Sequence, residues 1–321
     1  MTPKIGIVLP VRELQIVDPN NAAAQLIELA RQVEELHFDS VWVADSYVTR
    51  PQLEPLTLLA AISVVTENVT IGTAALPAVL REPKSLAHAM TTLDQLSGGR
   101  LIMGLAMGEP LPVNNQAESV TMSYRERITR VDEAVQAIKA VWQGRDDDLN
   151  GTYYDLSELR QQGLPLTQGG PGIWLASNGK PKAVARAGAI YDGWLPVRIE
   201  PEQYRESLRL IREAAEAAGR DPNSIVPSLY VSVNVDKDSE TAKAALDDYT
   251  NHYYRLPLTT MQNFQNYIGG TAKEVVDYLR AYVDAGCQHI TMRINTINDY
   301  DRIQRAIAEE VVPAIHELET V

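Results

Sequence analysis

Charged and hydroxyl side chains recur in this sequence at one kind of place, the few residues at the end of a short apolar run. Asp45 and Ser46 follow Ser40-Val41-Trp42-Val43-Ala44, and Gly108 and Glu109 stand just past the run from Arg100 to Ala106. Ser177-Asn178-Gly179-Lys180-Pro181 follows Ile173-Trp174-Leu175-Ala176. Arg198 stands just beyond Leu195, and Arg293 near the end of the run at 289–294. A carboxylate at such a place carries protons when burial shifts its pKa, so Asp45 and Glu109 are candidate acid–base groups. Helix capping or a solvated loop explains the same two residues equally simply.

The Ser177–Pro181 stretch carries the strongest ligand signal. Gly179 permits close backbone approach, and Pro181 suits a first helical turn whose free N–H groups attract an anion. Lys180 and Lys182 add positive charge there. The alternative is an ordinary strand-to-helix connection with solvated lysines. Arg198 and Arg293 either grip a phosphate or carboxylate or close an internal ion pair. The small residues Thr73-Ala74-Ala75 would let a flat ring lie against backbone, and packing against helices explains them too. The five histidines are scattered with no pair at ligand spacing, and Cys287 is the only cysteine, so no metal centre and no intrachain disulfide is expected. His88 and His289 read as structural histidines.

These residues must be positioned by alternating elements. Apolar runs at 4–9, 40–44, 69–75, 100–106, 173–176, 189–195, 225–235 and 289–294 read as buried strands, and helical periodicity falls between them. Ile128, Val131, Val135, Ile138 and Trp142, for example, step by three and four along one helix. That rhythm predicts a parallel α/β fold, a (β/α)8 TIM barrel in which the strand ends share one mouth. An open doubly wound sheet is the alternative, weakened because no G-x-G-x-x-G follows the first strand. The whole chain, 1–321, reads as one domain with loop insertions at about 107–123, 143–171 and 252–270.

Composition narrows the partners. Of 321 residues, 45% are hydrophobic, and the formal net charge is −13, which disfavours nucleic acid and anionic membranes. No apolar run reaches membrane-spanning length, and no signal peptide is evident. The expectation is a cytoplasmic enzyme acting on a small molecule.

Five segments together resemble the luciferase-like monooxygenase superfamily: Ser40-Val41-Trp42-Val43-Ala44-Asp45, Pro55-Leu56-Thr57-Leu58-Leu59-Ala60-Ala61, Ile71-Gly72-Thr73-Ala74-Ala75, Leu93-Asp94-Gln95-Leu96-Ser97-Gly98-Gly99-Arg100 and Ala187-Gly188-Ala189-Ile190-Tyr191-Asp192-Gly193. The resemblance implies a (β/α)8 barrel binding FMN or the deazaflavin coenzyme F420 across its mouth, in a homodimer. It places a non-proline cis peptide at Ala74-Ala75, behind the ring. Bacterial luciferase carries a catalytic histidine where this chain has Ser46, and a phosphate-binding arginine where it has Met107. Gly108-Glu109 instead resembles the Gly-Glu of F420-dependent reductases and dehydrogenases, whose glutamate handles the proton that accompanies hydride. Asp45 matches an acidic position of those enzymes, although the histidine that commonly follows is absent. Gly179 and Lys180 resemble their coenzyme-phosphate loop. The resemblance thus implies hydride transfer by F420, with Glu109 and Asp45 catalytic. Ser46, Ala74, Ala75, Met107, Gly108, Ser177, Asn178, Gly179, Lys180, Arg198 and Arg293 would line the coenzyme site. The alternatives are an FMN monooxygenase fed by a partner flavin reductase, and a non-catalytic flavin-binding protein.

Overall fold

A computed structural model describes residues 2–45, 51–108, 122–145, 151–155, 157 and 163–318. Its first half runs β1 (Lys4–Val8), α1 (Val11–Val17), α2 (Ala22–Glu35), β2 (Ser40–Val43), α3 (Pro55–Ser63), β3 (Thr70–Pro77), α4 (Pro83–Leu96), β4 (Leu101–Ala106) and α5 (Tyr124–Trp142). The second runs β5 (Gly172–Ala176), α6 (Pro181–Ile190), β6 (Gly193–Leu195), α7 (Pro201–Ala217), β7 (Val226–Val235), α8 (Ser239–Tyr254), α9 (Leu258–Met261), β8 (Tyr267–Gly270), α10 (Ala272–Val283), β9 (His289–Ile294) and α11 (Tyr300–Ala306).

Every strand pairing is parallel. Strands β1 to β6 are neighbours in sequence order, β9 and β7 follow on the far side of β1, and β6 meets β7 to close the ring. The result is the (β/α)8 barrel that the strand–helix rhythm requires. β8 lies outside the ring. β6 pairs only the start of β7, at Val226 and Pro227, and β8 takes the same edge farther along, at Ser232–Val235. Segment 252–270 therefore holds the end of α8, then α9 and β8, between its loops. Asn266 pins the entry to β8: its amide side chain accepts from Ile199 N–H and donates to the Ile199 carbonyl.

Two boundaries differ from the periodicity. α6 extends to Ile190 and β6 begins at Gly193, whereas the pattern favoured a strand from Ala189. Gly188 explains this: a Cβ there would stand 2.2 Å from the Ile211 carbonyl, so α6 and α7 touch through a missing side chain. α1 carries no obvious periodic signal over its 7 residues, and it delivers Arg12 and Glu13 to the mouth.

The barrel interior is plugged below the mouth. Trp42 and Trp174 lie 5.4 Å apart, and the His289 ring meets both edge-on. His289 Nε2 and Ser40 Oγ are 2.7 Å apart, and Trp42 Nε1 donates to the same hydroxyl. Burial pushes the His289 pKa down to about 3, with Lys4 a lesser contributor, so the ring is a neutral structural element. Capping fixes helices around this core: Thr271 and Glu274 form a reciprocal capping box on α10.

Candidate active site

A pocket of about 730 Å³ opens at the carboxyl ends of the barrel strands. Each of the eight ring strands contributes: Leu9, Ala44 and Asp45, Met107 and Gly108, Ser177, Val197 and Arg293 at or just past the ends of β1, β2, β4, β5, β6 and β9, Ala75 near the end of β3, and Tyr230 from midway along β7. That is the rim on which barrel enzymes assemble their sites.

One wall is small and apolar. Thr73 in β3 runs so close to β4 that a Cβ on Gly104 would sit 2.2 Å from the Thr73 carbonyl oxygen. The β3–β4 register then shifts between Thr73 and Leu76, which leaves Ala74 and Ala75 out of the ladder and facing the pocket. The peptide bond between them is cis, at the place the resemblance assigns. Next along the rim, Gly108 has φ +67 and its carbonyl accepts from Arg127 Nη1 at 2.7 Å. A left-handed φ of this kind suits glycine.

Asp45 lines the pocket with its side chain 3% exposed, 2.7 Å from Arg81 Nη1. Arg81 also binds Glu54, which caps α3. The Asp45 carboxylate is therefore anchored to a scaffold that joins β2, β3 and α3. Glu109 and Ser46 lie outside the described residues.

A cationic pole follows β5. Ser177, Asn178, Lys180 and Lys182 line the pocket, joined by Arg125 from α5. Asn178 Oδ1 accepts from Lys180 N–H, which turns the chain into α6, where Pro181 occupies the first turn. Among the described residues no carboxylate pairs with Lys180, Lys182 or Arg125. The Ser177 hydroxyl is buried without a hydrogen-bond partner among the described residues. Gly179 is not on the pocket surface. A Cβ there would stand 2.7 Å from Ile199 Cδ1 and 2.9 Å from Ser207 Oγ, so its smallness serves packing against α7 rather than ligand approach. Arg186 is nearby but committed to Asp132, at 2.6 and 2.8 Å.

The opposite wall carries residues that periodicity did not reveal. Arg293 Nη2 donates to Glu13 Oε1 at 2.6 Å, and Arg12 Nη2 reaches the same oxygen at 3.2 Å. The Tyr249 hydroxyl also donates to it. Burial favours a raised Glu13 pKa, but the Arg293 and Arg12 charges and the Tyr249 bond outweigh it and hold the carboxyl at about 2. Arg12 stacks 4.6 Å from the Tyr254 ring centroid. Burial opposes ionisation of Tyr254, yet Arg12 and Arg293 together lower its pKa. The only sequence signal for this cluster was Arg293 itself. Arg198, by contrast, is outside the pocket, donating to the Gln262 carbonyl and lying 3.6 Å from Glu200.

Comparison with known proteins matches residues 3–289 to the model of the luciferase-like monooxygenase family. The chain belongs to that family. Similar relatives include a 5,10-methylenetetrahydromethanopterin reductase of Methanolobus tindarius, 27% identical over 71% of this chain and 66% of that protein. An F420-dependent glucose-6-phosphate dehydrogenase of Kineococcus radiotolerans is 28% identical over 92% of this chain and 94% of that one. Among solved structures, the coenzyme F420-dependent tetrahydromethanopterin reductase of Methanopyrus kandleri superposes with a TM-score of 0.78. It has 18% identity, with 98% of this chain and 100% of that chain covered. The likeness to that structure establishes the shared barrel. In this luciferase-like chain, then, the pocket at the strand ends combines a small-residue wall, an anchored carboxylate and two cationic poles.

Proposed function

We propose that the chain is a coenzyme F420-dependent oxidoreductase that moves hydride to or from a small organic substrate at the barrel mouth. The supporting observation is the pairing of a small-residue wall at Ala74 and Ala75 with a cationic pole at Lys180, Lys182 and Arg125, which no carboxylate among the described residues pairs, in one pocket. The naming of relatives as F420-dependent supports the same choice of coenzyme.

The residues present fit such a group. The Ser177 hydroxyl, which has no hydrogen-bond partner among the described residues, and the Lys182 N–H in the first turn of α6 are donors suited to an anionic tail. Lys180 and Lys182 counter its charge within a chain that is strongly acidic overall. Bound there, the deazaflavin supplies the hydride acceptor or donor. Asp45, held by Arg81, orients polar groups at the mouth. Glu109, the next residue in sequence after Gly108, holds or delivers the accompanying proton, and the loops around the mouth exclude water and select substrate.

The family description includes monooxygenases, so an FMN-dependent oxygenase served by a flavin reductase is the second reading. Oxygen dependence separates the two. Turnover with F420 that proceeds without O2 supports hydride transfer. Turnover only with reduced FMN and O2 contradicts it.

A further inference from the structure

The wall between β1 and β9 gathers two arginines around one carboxylate. Arg12 and Glu13 are each 8% exposed, and the Arg293 side chain is 12% exposed. Among the described residues, three hydrogen bonds to Glu13 converge on Oε1, while Arg12 Nε is buried with no partner. Among the described residues, two guanidiniums and one carboxylate leave one positive charge unbalanced in a site largely removed from water, where screening is weak. Such a charge is costly unless an anion completes it. Arg12, Arg293, Tyr230 and Tyr254 all face the same pocket as Ala74 and Lys180.

Position distinguishes this pole from the other. Around the ring, β1 stands four strands from β5, so Arg12 and Arg293 lie across the mouth from Lys180 and Lys182. Leu9, Val11, Val197 and Phe264 supply apolar surface within the pocket. One cationic pole suffices for a coenzyme tail. A second, on the opposite wall, calls for a second anion.

We propose that Arg12 and Arg293 bind an anionic group of the substrate, a carboxylate or a phosphate ester, with the carbon skeleton lying on the apolar surface between the two poles. The enzyme is then an oxidoreductase of anionic small molecules. The assignment rests on the proposed function only in giving the Lys180 pole to the coenzyme. Tyr254, pressed on Arg12, borders the bound group and limits its size.

Inorganic phosphate and malonate serve as test anions, titrated by calorimetry into the Lys180→Ala/Lys182→Ala protein, in which the coenzyme pole is removed. Saturable binding is expected, weakened at least tenfold by adding Arg293→Gln, a change that leaves Arg12 and Glu13 as a balanced pair. Tighter malonate binding identifies a carboxylate substrate and tighter phosphate binding a phosphate ester. Absence of saturable binding, or binding indifferent to Arg293→Gln, overturns the proposal. Should Arg293→Gln lose its circular dichroism signature, Arg293→Lys keeps the charge but not the planar fork. It is then expected to weaken binding several-fold, and an unchanged affinity overturns the proposal. F420 is titrated in parallel into Arg293→Gln with both lysines intact. Retained F420 binding beside lost anion binding supports separate poles. Failure of the wild-type protein to bind F420 refutes the coenzyme assignment alone and leaves the anion result to stand on its own.

Discussion

Arg293 at the end of β9 and Glu13 in α1 meet at 2.6 Å, although 280 positions separate them in the chain. Their contact ties the last barrel strand to the first helix and sets the charge of one wall of the mouth. Removing one partner of a buried pair strands the other, at a cost of about 3–5 kcal/mol. Glu13→Gln is expected to destabilise the fold by about 3 kcal/mol, because it leaves Arg12 and Arg293 facing each other. Urea unfolding at neutral pH measures this, and a loss below about 1 kcal/mol would show that the cluster is unimportant to stability.

The same residue predicts a pH dependence. The folded-state pKa of Glu13, about 2, is depressed from its ordinary value of 4.5. Its contribution is therefore complete above about pH 4.5 and is lost as pH falls toward 2. Wild-type stability should drop more steeply across that window than the stability of Glu13→Gln. Parallel slopes would mean that Glu13 is not depressed.

Asp45 and Arg81 should behave as a unit. Because the Asp45 carboxylate is held by Arg81, Asp45→Asn and Arg81→Ala are expected to lower turnover by similar factors, about tenfold, and their effects should not add in the double variant. Additive losses would separate the two roles and return Asp45 to an independent acid–base assignment.

Gly179→Ala tests the packing role of that glycine. The new Cβ would press on Ile199 and Ser207, an overpacking worth about 1–3 kcal/mol. The expected result is a lower melting temperature with coenzyme affinity changed less than threefold at temperatures where the protein stays folded. A large affinity loss without destabilisation would restore Gly179 to the ligand surface.

Glu109→Gln should reduce kcat by about 10²–10⁴, the span of general acid–base catalysis, with coenzyme affinity preserved. Steady-state kinetics alongside a binding titration measures both. Unchanged kcat removes Glu109 from the chemistry.

The barrel was legible because each ring strand is an apolar run bounded by turn residues, and burial on both faces imposes that composition. Asp45, Ala74, Met107 and Lys180 were placed at the mouth by the same logic, since residues past parallel strands share one rim. Arg12 and Glu13 were not. They lie on a helix of 7 residues, too short for a periodic signal, and their partner is brought close only by the β1–β9 pairing. Arg198 also follows a strand, but β6 is only 3 residues long, and its continuation turns outward to Gln262. Gly179 read as a ligand-facing glycine because sequence does not distinguish a residue kept small for a ligand from one kept small for a neighbouring helix.

The central claim is that F420 occupies this mouth with its anionic tail at the Lys180 pole. Its most direct test is a titration of the purified protein with F420 and with FMN, repeated on Lys180→Ala/Lys182→Ala. The account predicts saturable F420 binding that exceeds FMN affinity, weakens about tenfold in the double variant (~1.4 kcal/mol) and loses part of its salt dependence there. Preferential binding of FMN, or F420 binding indifferent to loss of both lysines, would contradict it.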